Sequence, residues 1–245
     1  MKQFGLIGYP LSHSFSPGYF KNKFLNENIS AEYNAYPLEK IEDLPQLIQS
    51  SELSGLNVTI PYKEQVLPYI DTLDLTAAEI GAVNTIKFTN GKSKGYNTDV
   101  YGFEMSLLGL IDNPSSITNA LILGTGGASK AVQYVLMRLG ISYTLVSRNS
   151  KSALSYSDLK KNIFSKSNLI INTSPQGMYP DILSKPDIPF RWLTENYFLY
   201  DLVYNPEKTI FLSEGICRGC KVKNGHDMLI LQAEKSWEIW NQSEI

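Results

Sequence analysis

What is scarce in this chain narrows its chemistry first. Among 245 residues there are 2 cysteines and 2 histidines, so a metal site built from thiolates or imidazoles has almost nothing to draw on. Cys217 and Cys220 stand in a C-x-x-C spacing, but the surrounding pattern reads as structure: Cys217 ends a predicted helix, Gly219 supplies its glycine stop and Cys220 opens a strand. We expect free thiols and no metal. No apolar run approaches the roughly 20 residues that cross a bilayer, and Met1-Lys2-Gln3-Phe4-Gly5 lacks the apolar core of a signal peptide, so a cytoplasmic protein is expected. Charged residues make up 19%, the formal net charge is -2, and no long basic or acidic block occurs. That balance argues against a nucleic-acid or membrane partner and for a small molecule. Internal repeats and low-complexity tracts are also missing.

What is present is a rhythm. Phe4 to Gly8, Glu32 to Tyr36 and Leu56 to Thr59 read as strands, with helical segments from Pro17 to Asn28 and Ile41 to Ser50 between them. That β-α-β-α-β order predicts a parallel sheet with right-handed crossovers. Helical stretches at Lys63 to Tyr69 and Leu73 to Ile80 follow. Val83 to Phe88 and Lys94 to Tyr96 then flank Asn90-Gly91, a strong hairpin signal. Beyond a linking helix near Phe103 to Leu110, strands are expected at Ala120 to Leu123, Tyr143 to Val146, Leu169 to Asn172 and Phe198 to Asp201. An amphipathic helix from Met228 to Trp240 closes the chain and must lay one face on another element. The length suits two compact units of roughly 100 to 130 residues.

The second unit opens with Ala120 to Leu123 running into Gly124-Thr125-Gly126-Gly127-Ala128-Ser129, after which Val132, Val135, Leu136 and Leu139 repeat at helical spacing. A strand, a glycine turn and a helix in that order let backbone approach a pyrophosphate, whose charge then rests on the helix N-terminus. A tight turn that is glycine-rich for steric reasons alone would look the same.

In the first unit, three polar clusters lie just past strand ends, where parallel α/β sheets place ligands. They are Ser12-His13-Ser14-Phe15-Ser16, Asn57-Val58-Thr59-Ile60-Pro61-Tyr62-Lys63, and Asn84 with Asn97-Thr98-Asp99. Ser16 before Pro17 also reads as a helix N-cap with proline at the first helical position, a duty Ser14 does not have. Asn57 and Thr59, two apart on a strand, face one side while Val58 and Ile60 face the other. Hydroxyls, amides, one amine and one carboxylate converging on a crevice suit a polyhydroxy acid.

These blocks resemble the shikimate dehydrogenase family. Gly8 to Pro17, Asn57 to Lys63, Gly81 to Thr85, Gly95 to Asp99, Gly124 to Ser129, Asn172 to Met178, Tyr200 to Pro206, and Gly225 with Met228-Leu229 and Gln232-Ala233 run in the family's order over nearly the whole length. The family reduces 3-dehydroshikimate to shikimate with NADPH, on the route to chorismate and the aromatic amino acids, using two α/β domains around a cleft. The resemblance implies a substrate domain at 1–101, completed by 226–245, and a Rossmann-like, doubly wound NADP(H)-binding domain at 102–225, with the closing helix returning to the first domain. It implies Lys63 and Asp99 as the catalytic pair. Ser14, Ser16, Asn57, Thr59, Asn84, Asp99 and Gln232 would hold the substrate, with Tyr204 reaching in from the nucleotide domain. Gly124, Gly126, Gly127, Ala128, Ser129, Ser147, Arg148, Asn149, Thr173 and Gly225 would serve the cofactor. The family's Asn-Arg-Thr fingerprint is here Ser147-Arg148-Asn149, and its second arginine downstream is absent.

In the reduction, negative charge grows on the ketone oxygen as hydride reaches the carbon, and an ammonium at Lys63 can meet it by donating a proton or as a positive charge. The motifs leave both roles open. They also fit a quinate/shikimate dehydrogenase using NAD or NADP, and, less well, a non-catalytic metabolite sensor of the same fold. A monomer or homodimer is expected, with hinge closure near Asn97 to Gly102.

Overall fold

The structure, a computed structural model, describes residues 1–12, 14–148 and 152–242. The chain divides into two compact units, Met1–Thr98 with Gln232–Ile245, and Asp99–Leu231.

The first unit contains β1 (Lys2–Gly8), α1 (Phe15–Asn26), β2 (Ala31–Pro37), α2 (Leu44–Ser50), β3 (Leu53–Val58), β4 (Thr72–Leu73), α3 (Leu75–Ile80), β5 (Thr85–Thr89) and β6 (Lys92–Tyr96). They form one sheet in the order β2-β1-β3-β5-β6-β4. β1 is parallel to both neighbours, and β5 is antiparallel to β3 and β6. The hairpin forms as Asn90-Gly91 predicts: both residues take positive φ, 53° and 74°, and Thr89 pairs with Lys92.

One segment departs from expectation. Lys63 to Tyr69 is not a helix but a series of turns ending in a 3-10 turn at Leu67–Tyr69. The Lys63 carbonyl accepts from the Val83 backbone N–H at 2.7 Å, and Leu67 N–H donates to Glu64, so the i to i+4 ladder is interrupted. Asp74 caps α3 by accepting from Ala77 N–H at 2.8 Å, which starts that helix two residues later than expected and leaves Thr72–Leu73 as an edge strand.

One face of this sheet packs Ile7, Leu56, Val58, Val83 and Ile86 against Leu44 and Val66. The other carries Phe4, Phe20, Phe24 and Trp240. Phe20 and Phe24, four apart on α1, share its buried stripe. The Trp240 ring stacks on Phe4 with centroids 4.7 Å apart and donates its N–H to the Ile86 carbonyl at 2.9 Å. A side-chain carbon at Gly55 would collide with that indole, which is why the strand carries glycine there.

The second unit begins in α4 (Thr98–Leu108) and continues through β7 (Ala120–Leu123), α5 (Gly127–Arg138), β8 (Tyr143–Val146), α6 (Lys161–Phe164), β9 (Leu169–Asn172), β10 (Phe198–Asp201), α7 (Ile210–Ile216) and β11 (Lys221–Lys223). Its five strands are all parallel in the order β11-β10-β9-β7-β8. Successive crossovers thus run outward in both directions from β7, a doubly wound topology. β7 and β9 are buried along their whole length, as fully covered parallel strands should be. The closing helix α8 (His226–Asn241) ends in the first unit, where Lys23 of α1 holds Glu234 at 2.9 Å. Among the described residues no helix is long and apolar enough to cross a membrane.

Candidate active site

In the first unit the polar residues past the strand ends are joined into one buried network. Asn57, at the end of β3 and 4% exposed, uses its amide nitrogen toward the Asn84 carbonyl at 3.2 Å, the Thr85 hydroxyl at 3.2 Å and the Ser236 hydroxyl at 3.0 Å. Its amide oxygen accepts from the Tyr33 phenol at 2.8 Å. Asn84, just before β5, accepts from Thr98 N–H at 2.7 Å and donates to the Thr98 hydroxyl at 3.0 Å and to Gln232 Oε1 at 3.5 Å. Ser236 on α8 also reaches the Thr85 and Thr98 hydroxyls, at 2.8 and 3.2 Å. Three of the residues expected to hold substrate, Asn57, Asn84 and Gln232, therefore share a network drawn from β3, the β5 approach and α8. Polar side chains this deeply buried are tolerated because each finds partners.

Ser14 and Ser16 exchange the roles the sequence suggested. α1 begins at Phe15, so Ser14 occupies the N-cap position, although its hydroxyl makes no capping bond. Ser16 lies inside the first turn of the helix. The reason is that the helix starts two residues before Pro17, which sits comfortably in a first turn where its missing N–H has no partner to lose. Thr59 is half-buried just beyond β3, its N–H on the Ile7 carbonyl at 2.9 Å. Ile60, expected on the strand face opposite Thr59, is 74% exposed because the strand stops at Val58. Lys63 is half-buried in the turns after Pro61. Asp99, 8% exposed, stands in the first turn of α4. Asn97 beside it donates to the Ala82 carbonyl at 3.0 Å, and its Oδ1 is buried with no partner among the described residues. His13 lies outside the described residues.

In the second unit the carboxyl ends of β8, β7 and β9 stand side by side, with Leu123 in register with both Val146 and Asn172. They bring together the Gly124 to Ser129 loop, Ser147-Arg148 and Thr173. Gly124 adopts φ +120°, and a side-chain carbon there would lie 2.7 Å from the Thr173 hydroxyl. Gly126 caps α5 with nothing within 4 Å of where its side chain would be, and Gly127 and Ala128 follow in a first turn free of acidic residues. An open, glycine-lined N-terminus on a 12-residue helix fits the diphosphate of a dinucleotide, so the residues present suit NADP(H). Ser129 is fully buried and its hydroxyl donates to the Gly126 carbonyl at 2.8 Å, while the Thr173 hydroxyl donates to the Leu123 carbonyl at 3.0 Å. Both side chains shape the loop. Ser147 meets the Thr125 hydroxyl at 3.4 Å, and Arg148 is exposed. Asn149 lies outside the described residues. Gly225 is fixed by packing, since a side-chain carbon would strike the Leu202 carbonyl. Tyr204 is half-buried, and that burial pushes its phenol up.

Reading the sequence missed Tyr33, Thr85, Thr98 and Ser236 as members of the network. Thr98 was visible within Asn97-Thr98-Asp99; Tyr33 and Ser236 carried no local signal. Cys217 and Cys220 are free thiols, the second buried with its sulfur 3.2 Å from the Thr194 carbonyl. Cavities of about 190 and 240 Å³ beside Ile48 and Phe88 contain none of the expected residues.

Residues 6–86 match the family model for the shikimate dehydrogenase substrate binding domain. The chain is 39% identical to the shikimate dehydrogenase (NADP(+)) of Methanococcus vannielii, over 96% of this chain and 90% of that protein. Among solved structures it is similar to the shikimate dehydrogenase of Aquifex aeolicus, with a TM-score of 0.89 and 31% identity over 100% of this chain and 94% of that one. The shikimate 5-dehydrogenase of Thermus thermophilus, solved in complex with NADP(H) and shikimate, gives 0.85 and 30% over 98% and 94%.

Proposed function

The chain belongs to the shikimate dehydrogenase family, and from that premise we propose how its residues divide the work. It is an NADP-dependent oxidoreductase that interconverts 3-dehydroshikimate and shikimate, a step of chorismate and hence aromatic amino acid biosynthesis. Residues 1–101 with 226–245 take the substrate, and 102–225 take the cofactor. Ser14, Ser16, Asn57, Thr59, Asn84, Asp99 and Gln232 hold and orient the substrate, with Tyr204 contributing from the nucleotide domain. Gly124, Gly126, Gly127 and Ala128 would hold the diphosphate, with Ser129 and Thr173 bracing the loop; Ser147, Arg148 and Asn149 would serve the adenosine ribose, and Gly225 would allow close backbone packing.

NADPH, when bound, supplies the hydride for the ketone carbon. Lys63 Nζ donates a proton toward the ketone oxygen as negative charge grows there, and in the reverse direction takes it back. Asp99, the second member of the catalytic pair, accepts a hydrogen bond from a substrate hydroxyl and holds the ring in the orientation in which Lys63 meets the ketone oxygen. The observation that carries this reading is the buried network joining Asn57, Asn84 and Gln232, three amides of fixed orientation suited to a polyhydroxylated acid. A cytoplasmic enzyme, monomeric or homodimeric, goes with this reading.

Lys63→Ala and Asp99→Asn test it. Each variant is expected to stay folded and bind shikimate while turning over at least about a hundredfold more slowly, the usual scale for losing a positioned acid or base. Near-normal turnover of Lys63→Ala would make Lys63 an ordinary surface lysine.

A further inference from the structure

The carbonyl of Ala82 and the N–H of Val83 belong to one peptide unit, and that unit is held from both ends. At one end the Asn97 side-chain amide donates to the Ala82 carbonyl at 3.0 Å. At the other the Val83 N–H donates to the Lys63 carbonyl at 2.7 Å. A peptide unit is rigid and planar, so a tilt imposed at its oxygen is passed on to its N–H. The neighbouring peptides are fixed by other bonds, Ala82 N–H on the Ala77 carbonyl at 3.4 Å and Asn84 N–H on the Tyr96 carbonyl at 3.0 Å. Those bonds leave the plane between Ala82 and Val83 free to rock about the line joining its two Cα atoms. Among the described residues, the bonds to Asn97 and to Lys63 are the ones that set its tilt. All four residues lie in the first unit.

Stability alone does not account for the amide. Asn97 is 8% exposed, and a carbonyl can only accept, so the group it turns to Ala82 is the amide nitrogen. Its Oδ1 is then left buried without a hydrogen-bond partner among the described residues. An unsatisfied buried oxygen costs at least as much as one ordinary hydrogen bond contributes, so the two effects roughly cancel. An apolar side chain of the same size would fill the space equally well. What only the amide supplies is a donor of fixed direction on the Ala82 carbonyl. Lys63 has need of such a brace, because it lies in a run of turns where no helical ladder takes up its carbonyl.

We propose that Asn97 is a positioning residue for Lys63, acting across the Ala82–Val83 peptide to set where the lysine backbone sits. It touches neither substrate nor cofactor in this account, and it rests on the assignment of Lys63 as the proton donor. A donor must meet the ketone oxygen as charge grows there, and displacement of the donor by about 1 Å costs rate steeply. Substrate binding draws on other residues, so the effect falls on turnover.

The test is Asn97→Leu in the full-length protein, which keeps the volume and removes the donor together with the unpaired oxygen; Asn97→Ala is the second variant, since it needs no room. The melting temperature of Asn97→Leu should stay within about 5 °C of wild type. Its kcat should fall about tenfold to a hundredfold while the KM values for shikimate and NADP stay within about twofold, the split that marks a contact made in the transition state. In a Lys63→Ala background the same change should lower kcat by less than about twofold, because the side chain it positions is gone. A folded variant with wild-type kcat, a rise in KM without loss of kcat, or full additivity with Lys63→Ala would overturn the role of Asn97 while leaving Lys63 as the donor. Failure of both variants to fold would make Asn97 a structural residue and overturn it as well. Near-normal turnover of Lys63→Ala alone would overturn the assignment of Lys63 on which the proposal rests.

Discussion

The Ser236 hydroxyl lies 3.0 Å from the side-chain amide of Asn57, 179 positions earlier in the chain. The closing helix is therefore part of the candidate substrate site and not only a cover for the sheet. Ser236 is fully buried and its hydroxyl also donates to the Gln232 carbonyl one turn back, at 2.9 Å. One small side chain thus sets α8 against β3 and β5 and fixes the height at which Gln232 meets Asn84.

Ser236→Ala removes these bonds without adding volume. Three buried neighbours lose a shared partner, so the variant should be less stable by about 1 to 3 kcal/mol. It should also show a raised KM for shikimate with an unchanged KM for NADP. Urea denaturation and steady-state kinetics on the same preparation check both. Wild-type stability and kinetics would mean that the network closes as well without the hydroxyl.

Asp201 gives a pH prediction. It is fully buried at the end of β10 and accepts from Thr209 at 2.6 Å, Asn172 at 2.9 Å and Val203 N–H at 3.0 Å. Burial outweighs these donors and pushes its carboxyl up to about 6. Between the ordinary carboxylate range near pH 4 and pH 6 the folded protein binds more protons at this site than the unfolded chain. Its contribution to stability is therefore full below about pH 4 and falls as pH rises to 6, by at most about 3 kcal/mol. Asp201→Asn does not titrate, so the stability difference between wild type and variant should shift against wild type across that window. Denaturation curves at pH 4, 5, 6 and 7 measure it; a difference constant over that range would place the carboxyl at its ordinary value.

Arg148 stands exposed just past β8, in a stretch without carboxylates. An acidic residue at this place would repel a ribose 2′-phosphate, whereas arginine pairs with it. Arg148→Ala should weaken NADP use about tenfold to a hundredfold while barely changing NAD use. The readout is the ratio of kcat/KM for the two cofactors at one salt concentration. Equal losses with both would show that Arg148 serves the adenine and not the phosphate.

Much of this architecture is legible in the sequence because local signals decide it. The apolar strands β7 and β9 of the second unit need covering on both faces, and Asn90-Gly91 accepts the positive φ angles its turn requires. Gly124 and Gly126 mark a loop where a side chain would collide or close an open helix end. The misread parts are those where a distant group takes over. Lys63 to Tyr69 has helical spacing, but Val83 N–H claims the Lys63 carbonyl. Tyr33 reads as an ordinary aromatic on an alternating strand and Ser236 as a small residue on an amphipathic helix. Their roles arise from tertiary pairing with Asn57, across 24 and 179 positions, which no local pattern announces.

The central claim is that this chain interconverts shikimate and 3-dehydroshikimate with NADP. The most direct test is absorbance at the nicotinamide band with purified protein, offering shikimate or quinate with NADP or NAD in all four pairings. Shikimate with NADP should give the highest kcat/KM. Equal or better turnover of quinate, equal use of NAD, or no turnover in any pairing would contradict the account.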